Sequence, residues 1–248
     1  MAFRILSYNV RAGRGVDESP ALDRQAAAIR ALAPDVAALQ EVDRATQRSG
    51  RVDQAAALAE ATGLHSVFAR AIDFEGGEYG IAVLSREAPR ATRTVALPSP
   101  HDEDRVLLVA DFGAYVFAAT HLPLNEGDRL AAVDRILAEL LPSDRPVFLA
   151  GDWNAFPGDA TLRRVGRGFR LLSGTDEPTF PADAPDRCID YIAVDGAHAP
   201  LFAGGSSRVV DEPAASDHRP LLVTLPRRPE STPPSLAKPR GAARSPLD

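Results

Sequence analysis

Four apolar runs in this chain end in residues suited to acid–base or metal chemistry. FRILSYNV ends with Asn9 just inside its last residue, DVAALQEV carries Gln40 and Glu41, AYVFAATHL carries Thr120 and His121, and RPVFLAGDWN carries Asp152 and Asn154. A carboxylate at the end of a buried strand, such as Glu41, is either a metal ligand or a group that has reached solvent. Magnesium is often held by only one or two carboxylates plus waters and substrate phosphate, so one glutamate suffices. In the GDWN segment, Gly151 permits a tight approach, and Asp152 and Asn154 alternate onto one side of the strand end. There Asp152 can position an attacking water and Asn154 can donate to a phosphate oxygen; the bland alternative is an ordinary turn. His121 reads either as a phosphate ligand or as a capped core histidine. His218, in SDHRP, gains meaning with an acidic partner, because a carboxylate that holds an imidazole fixes its tautomer and raises its pKa. Asp190 is the candidate, since it sits in the otherwise apolar CIDYIAV, where an unpaired charge would be expensive.

The elements that must position these groups alternate between strand and helix. Strands are expected at 3–10, 35–42, 65–72, 79–86, 105–112, 114–122, 145–154, 189–194 and 220–226, with a weaker one in TRTVALP. Ser19 is a candidate N-cap, with Pro20 at the first helical position, for a helix that stops at Pro34. Further helices are expected at about 52–62 and 126–141. Strand–helix–strand occurs twice, 3–10 to 35–42 and 114–122 to 145–154. Ligands bind beyond the carboxyl ends of strands in such units, so the four polar ends are expected to converge. The repetition suggests two sheets packed face to face with helices outside. No linker interrupts residues 1–225, so one domain, 1–226, is expected. The following PRRPESTPPSLAKPRGAARSPLD is proline-rich and lacks apolar periodicity, so 227–248 reads as a disordered, basic tail, a solvated end or a docking segment for an unknown acidic partner.

Composition removes several function classes. One cysteine, Cys188, excludes a disulfide framework and a cysteine-rich zinc site. Lys238 is the sole lysine and lies outside any Gly-Lys-Ser/Thr loop, which excludes a P-loop ATPase. The Gly13–Gly15 pair after the first strand is not completed to GxGxxG, no GxSxG elbow occurs, and the five histidines show no zinc-site spacing. No run of about 18 apolar residues is present and no secretory signal is seen, so a cytoplasmic monomer is the expectation.

Taken in order, SYNV with Asn9, LQEV with Glu41, YGIAVLSR, THL with His121, GDWN with Asp152 and Asn154, CIDYIAV with Asp190, and SDHRP with Asp217 and His218 resemble the endonuclease/exonuclease/phosphatase superfamily, whose fold is that of DNase I. The resemblance spans residues 3–221. It implies an α/β four-layer sandwich, two mixed sheets face to face with helices outside, and phosphoester hydrolysis with Mg2+ or Mn2+, one or two ions. It implies Glu41 as the main metal ligand, with Asn9 and Asp217 beside the ion. Asp152 would activate water, and Asn154 and His121 would bind phosphate oxygens. His218, paired with Asp190, would contact the scissile phosphate or act as acid/base. Ile81 stands where many relatives carry Asn, and Trp153 where Phe is common. The FEGGEYG stretch reads as a site-lining loop from which Glu78 or Tyr79 touches substrate.

Charge bears on the substrate. Residues 1–225 carry 23 basic against 32 acidic side chains, so counterion release on duplex DNA would contribute little. Arg11, Arg14, Arg86 and Arg187 lie near motif ends, where arginine suits bidentate phosphate contacts; Arg11 and Arg187 are the candidates for binding substrate. The expectation is a phosphodiesterase for a small or lipid-headgroup diester. The alternatives are a nuclease acting on a local nucleic-acid feature, a phosphomonoesterase, and, last, a non-catalytic binding protein.

Overall fold

The computed structural model describes residues 2–226 and 228–229. The expected unstructured segment 227–248 therefore lies, apart from Arg228 and Pro229, outside the described residues. Arg228 bonds Glu87 at 2.8 Å, with its guanidinium over the Phe3 ring.

Two six-stranded mixed sheets lie face to face. The first contains β1 (Phe3–Asn9), β2 (Val36–Arg44), β3 (His65–Phe74), β4 (Gly77–Ser85), β11 (Ser206–Val209) and β12 (Leu221–Leu225), in the order β11-β12-β1-β2-β4-β3. The second contains β5 (Ala91–Leu97), β6 (Arg105–Asp111), β7 (Val116–His121), β8 (Val147–Asp152), β9 (Phe169–Leu171) and β10 (Asp190–Asp195), in the order β5-β6-β7-β8-β10-β9. Helix α1 (Leu22–Leu32) joins β1 to its parallel neighbour β2, and α3 (Glu126–Leu140) joins β7 to its parallel neighbour β8. Helices α2 (Gln54–Thr62) and α4 (Ala160–Val165) complete the outer layers.

Side-chain alternation sorts the apolar residues into three cores. Phe3, Ile5, Val36, Ala38, Phe117, Ala119, Phe148, Ala150, Ile192 and Val194 fill the space between the sheets. Leu6, Tyr8, Ala37 and Leu39 pack outward on Ala26, Ile29 and Leu58 of α1 and α2, whereas Leu107, Val147 and Leu149 pack outward on Val133, Ile136 and Val165 of α3 and α4. Trp153, buried, lies against Tyr191 with ring centroids 4.9 Å apart.

Three expectations need correction. Helix α1 begins at Leu22 rather than Pro20, with Ala21 at its N-cap and no side-chain cap. Ser19 instead donates to Asp17 and accepts from Arg24, which closes a turn ahead of the helix. The FEGGEYG stretch is not a loop but the tight turn of the β3–β4 hairpin, with Glu75 and Gly76 at positive φ. Short elements α4, β9 and β11 were not anticipated; three- or four-residue strands are too short to show a period.

Candidate active site

The inter-sheet face of five strands changes from apolar to polar at one end of the sandwich. On β1 the series Phe3, Ile5 continues to Ser7 and Asn9; on β2, Val36, Ala38 continues to Gln40; on β7, Phe117, Ala119 continues to His121; on β8, Phe148, Ala150 continues to Asp152; on β10, Val194, Ile192 ends at Asp190. Register then aligns them. Asn9 lies opposite Gln40, and Asp152 is flanked by His121 on parallel β7 and Asp190 on antiparallel β10. His218 comes from the segment before β12, which runs antiparallel to β1 and so starts at the same end. Between β7 and β8 the backbones approach so closely that a Cβ on Gly151 would sit 2.0 Å from the Thr120 carbonyl oxygen, so only glycine fits ahead of Asp152.

Glu41 is placed by a bulge. The β2–β4 register shifts between Leu39 and Val42, and Glu41 adopts φ 56°, a left-handed conformation unusual for a glutamate. A bulge re-aims a side chain; here it brings Glu41 to Asn9, whose Nδ2 donates to Glu41 Oε1 at 2.9 Å and to Asp152 Oδ2 at 3.3 Å. The Asn9 side-chain oxygen accepts instead from the Arg11 backbone N–H, 3.0 Å. Desolvation is the main force pushing the Glu41 carboxyl up.

The His218 ring is held at Nδ1 by one carboxylate and faces another across Nε2. Nδ1 lies 2.9 Å from Asp190 Oδ2, and Nε2 lies 3.6 Å from Asp152 Oδ2. Burial opposes its charge, but Asp190 and Asp152 outweigh burial and push its pKa up to about 10. Burial and the neighbouring Asp190 raise the Asp152 carboxyl to about 7. Asp190 Oδ1 is buried with no hydrogen-bond partner among the described residues. His121 is set the opposite way. Its Nδ1 lies 2.9 Å from Arg105 Nη1 and its Nε2 lies 3.5 Å from Asp152 Oδ2. Burial first, then the Arg105 charge, push its pKa well below the ordinary value, which favours the neutral ring.

Asp217 is partly exposed, 3.4 Å from Arg11 Nε, and Ser216 Oγ donates to the Asn9 carbonyl at 2.7 Å. Asn154, at φ 48°, donates through Nδ2 to the Leu122 carbonyl, while its backbone N–H donates to Asp152 Oδ1 at 2.9 Å. The side-chain atoms of Asp152, Asp190 and His218 that can ligate lie within 4.8 Å of one another. Glu41 is desolvated and feels the like charge of Asp217, so two carboxylates face each other beside Asn9. Such an oxygen-donor pair suits a hard divalent cation, which takes oxygen ligands.

The family model for the Endonuclease/Exonuclease/phosphatase family matches residues 6–218. The chain belongs to this family. Members are hydrolases acting on phosphoesters and typically depend on divalent metal. Solved structures share the fold. A family protein from Beutenbergia cavernae DSM 12333 aligns with TM-score 0.70 and 23% identity, covering 90% of this chain and 71% of that one. Danio rerio TDP2 complexed with single-strand DNA product aligns with TM-score 0.68 and 20% identity, covering 90% and 98%. The mannosyl-6-phosphatase Bt3783 of Bacteroides thetaiotaomicron VPI-5482 aligns with TM-score 0.68 and 15% identity, covering 89% and 98%. The four-layer DNase I-like sandwich is therefore the family fold.

The arginines of this family member do not gather as a group. Arg11 reaches the site but bonds Glu18 at 2.6 Å and approaches Asp217. Arg14 faces Glu18, and Arg187 pairs with Asp186 and stacks on Phe180, whose ring lies 4.7 Å from that of His218. Arg86 bonds Asp35 ahead of β2, at the opposite end of the sheet from Glu41, so it does not converge with the others. Tyr79 is buried beside Glu41, and burial pushes its phenol up; Glu78 turns away to pair with Arg44. Sequence reasoning missed Phe180 and Arg105. An arginine opening the otherwise apolar strand Arg105–Asp111 was a signal available for the second. A groove of about 610 Å3 opens between the segment after β1 and that after β2, lined by Ala12, Arg14, Glu18, Arg48 and Gln54 among others. No helix among the described residues is long and apolar enough to cross a membrane.

Proposed function

We propose that this protein is a metal-dependent phosphodiesterase for small or lipid-headgroup diesters, with water as the nucleophile. The observation that carries the reading is the Asp152–His218–Asp190 array, a carboxylate and a carboxylate-backed imidazole 3.6 Å apart in a buried cleft. Glu41 and Asp217 would hold a magnesium or manganese ion, with Asn9 steadying Glu41 through its amide. When bound, the ion supplies positive charge that polarises the phosphoryl group and offsets charge developing on its oxygens.

The residues themselves do the rest. Asp152 Oδ2 and His218 Nε2 are too close to serve opposite sides of an in-line displacement, so they work on one face. Asp152 takes the proton of the attacking water as the water oxygen bonds phosphorus and the bond to the leaving oxygen breaks. The His218 imidazolium, held by Asp190, donates to a non-bridging oxygen, as Asn154 and His121 do from the second sheet. Such preorganised donors are worth most where water is excluded.

Charge supports a diester over a monoester. Arg11, Arg14, Arg48, Arg105 and Arg187 each have a carboxylate partner, so the surroundings offer little cationic charge to a dianion. The acidic body argues against gripping many phosphates of a duplex. The groove beside Arg14 and Arg48 leaves room for the body of a small substrate. The test is hydrolysis of bis-(p-nitrophenyl) phosphate against p-nitrophenyl phosphate with Mg2+, Mn2+ or EDTA. Metal-dependent turnover of the diester in preference to the monoester is the expected result. Preference for the monoester would make the protein a phosphatase, and silence on both with nicking of a plasmid would make it a nuclease.

A further inference from the structure

Arg105 is the first residue of β6 and is buried, an unusual place for a guanidinium. It is held from three sides. Its backbone N–H donates to Ser99 Oγ at 3.2 Å, its Nη1 lies 2.7 Å from Glu103 Oε1, and the same nitrogen lies 2.9 Å from His121 Nδ1. Its Nε is buried without a hydrogen-bond partner among the described residues. A buried donor left unmatched is costly, so an arginine kept there calls for a reason beyond its own satisfaction. Tyr79 and Ile81 of β4 and His121 of β7 wall the same small space.

We infer that Arg105 is a positioning residue that locks the His121 ring in the tautomer with its proton on Nε2, which makes His121 a fixed, neutral donor to a phosphate oxygen. The donor inventory forces the assignment. A guanidinium has no acceptor, so the atom facing it must offer a lone pair, and a neutral imidazole with a lone pair on Nδ1 carries its proton on Nε2. The other side of the ring agrees: Nε2 faces Asp152 Oδ2, an acceptor when ionised. Left free, a neutral imidazole divides between two tautomers, and one of them would present a lone pair to the phosphate. Glu103 serves as the counter-charge that keeps Arg105 in place. The role assigned to the phosphate rests on the proposed function; the tautomer itself does not.

The test separates the two. The full chain is labelled with 15N-histidine, and long-range proton–nitrogen spectra are recorded near neutral pH. Among the five histidines, His121 is assigned by the signal lost in His121→Gln. The expected wild-type spectrum shows protonated Nε2 and bare Nδ1; a proton on Nδ1 overturns the inference without any variant of Arg105. Arg105→Met is expected to mix the tautomers, while Arg105→Lys, which still donates, is expected to keep the wild-type form. An unchanged His121 signal in Arg105→Met also overturns it. Should Arg105→Met fail to fold, Arg105→Lys and the wild-type spectrum still decide. In turnover, Arg105→Met should lower kcat roughly ten- to a hundredfold, no more than loss of one preorganised donor, with KM nearly constant. It should cost nothing further in a His121→Gln background, whereas additive losses would make Arg105 independent of His121. If no phosphoester is hydrolysed at all, the proposed function falls and the ring spectra still decide the tautomer.

Discussion

Strand β10 begins and ends with an aspartate that holds a histidine, and the two pairs differ in what else the carboxylate does. At the start, Asp190 Oδ2 meets His218 Nδ1 at 2.9 Å while Oδ1 is left without a partner. At the end, Asp195 meets His198 Nδ1 at 2.8 Å, accepts the His198 backbone N–H and accepts the Val147 N–H at 2.8 Å through Oδ2. Asp195 is satisfied by two backbone N–H groups, one of them from neighbouring β8, besides its histidine, as a buried carboxylate in a structural role should be. Asp190 sits across from another carboxylate with capacity to spare. Two similarly buried aspartates on one strand therefore differ: the fold fills one carboxylate and leaves the other an oxygen without a partner among the described residues.

Substituting each aspartate breaks the comparison most sharply. Asp190→Asn should lower diester turnover by about 10²–10⁴, the usual worth of a positioned acid–base group, with little change in Tm. Asp195→Ala should leave turnover alone and cost about 1–3 kcal/mol, because the Val147 N–H loses its acceptor. That corresponds to a Tm lowered by several degrees in a domain of this size, readable by thermal scanning. Equal effects of the two substitutions on turnover would end the distinction.

A smaller effect sharpens it from the first sheet. Glu41→Asn should abolish the stabilisation gained from added Mg2+ yet raise the metal-free stability by about 1 kcal/mol, because asparagine tolerates the left-handed backbone better. Calorimetry with and without Mg2+ reads both. The gentlest test uses pH. Folded, Asp152 keeps its proton up to about pH 7, whereas an unfolded aspartyl gives it up near 3.8. The folded state binds more protons in that window, so metal-free stability should fall as pH rises through it. His218 adds a loss of the same sign, from about 6.5 up to about 10, as its proton leaves. Denaturation of Asp152→Asn across pH 4–7 should lack the first slope. In turnover the two groups should give a bell, rising as Asp152 ionises and falling as His218 deprotonates, with the lower limb moved down by bound metal.

The sandwich was legible in the sequence because its inner strands are apolar runs that change character at one end. That switch at Asn9, His121 and Asp152 is what the sheets bring together. The placement of Glu41 was not legible: no glycine marks its bulge, and a positive φ on glutamate is imposed by tertiary contacts. Arg105 was hidden for a related reason, since a strand-opening arginine looks solvated until a second strand covers it. Arg86 lies near a motif in sequence, but its strand runs the other way and leaves it beside Asp35 at the far end of the sheet. Ser19 and Pro20 carried good helix-start chemistry, but the Asp17–Arg24 pair used the serine for a turn.

One buried side chain has consequences for synthesis. Gln25 of α1 donates through Nε2 to the carbonyls of Val10 and Ala215, at 2.9 and 2.8 Å, which ties the exit of β1 to the segment that carries Asp217 and His218. The same β1 is unpaired on one side until β12 docks beside it. During synthesis every strand of the second sheet is therefore made before β12 can pair with β1. Contacts this distant along the chain form late. On the proposed function, a product cut before Asp217 would carry Asn9, Glu41, His121, Asp152 and Asp190 without His218 and should show no turnover.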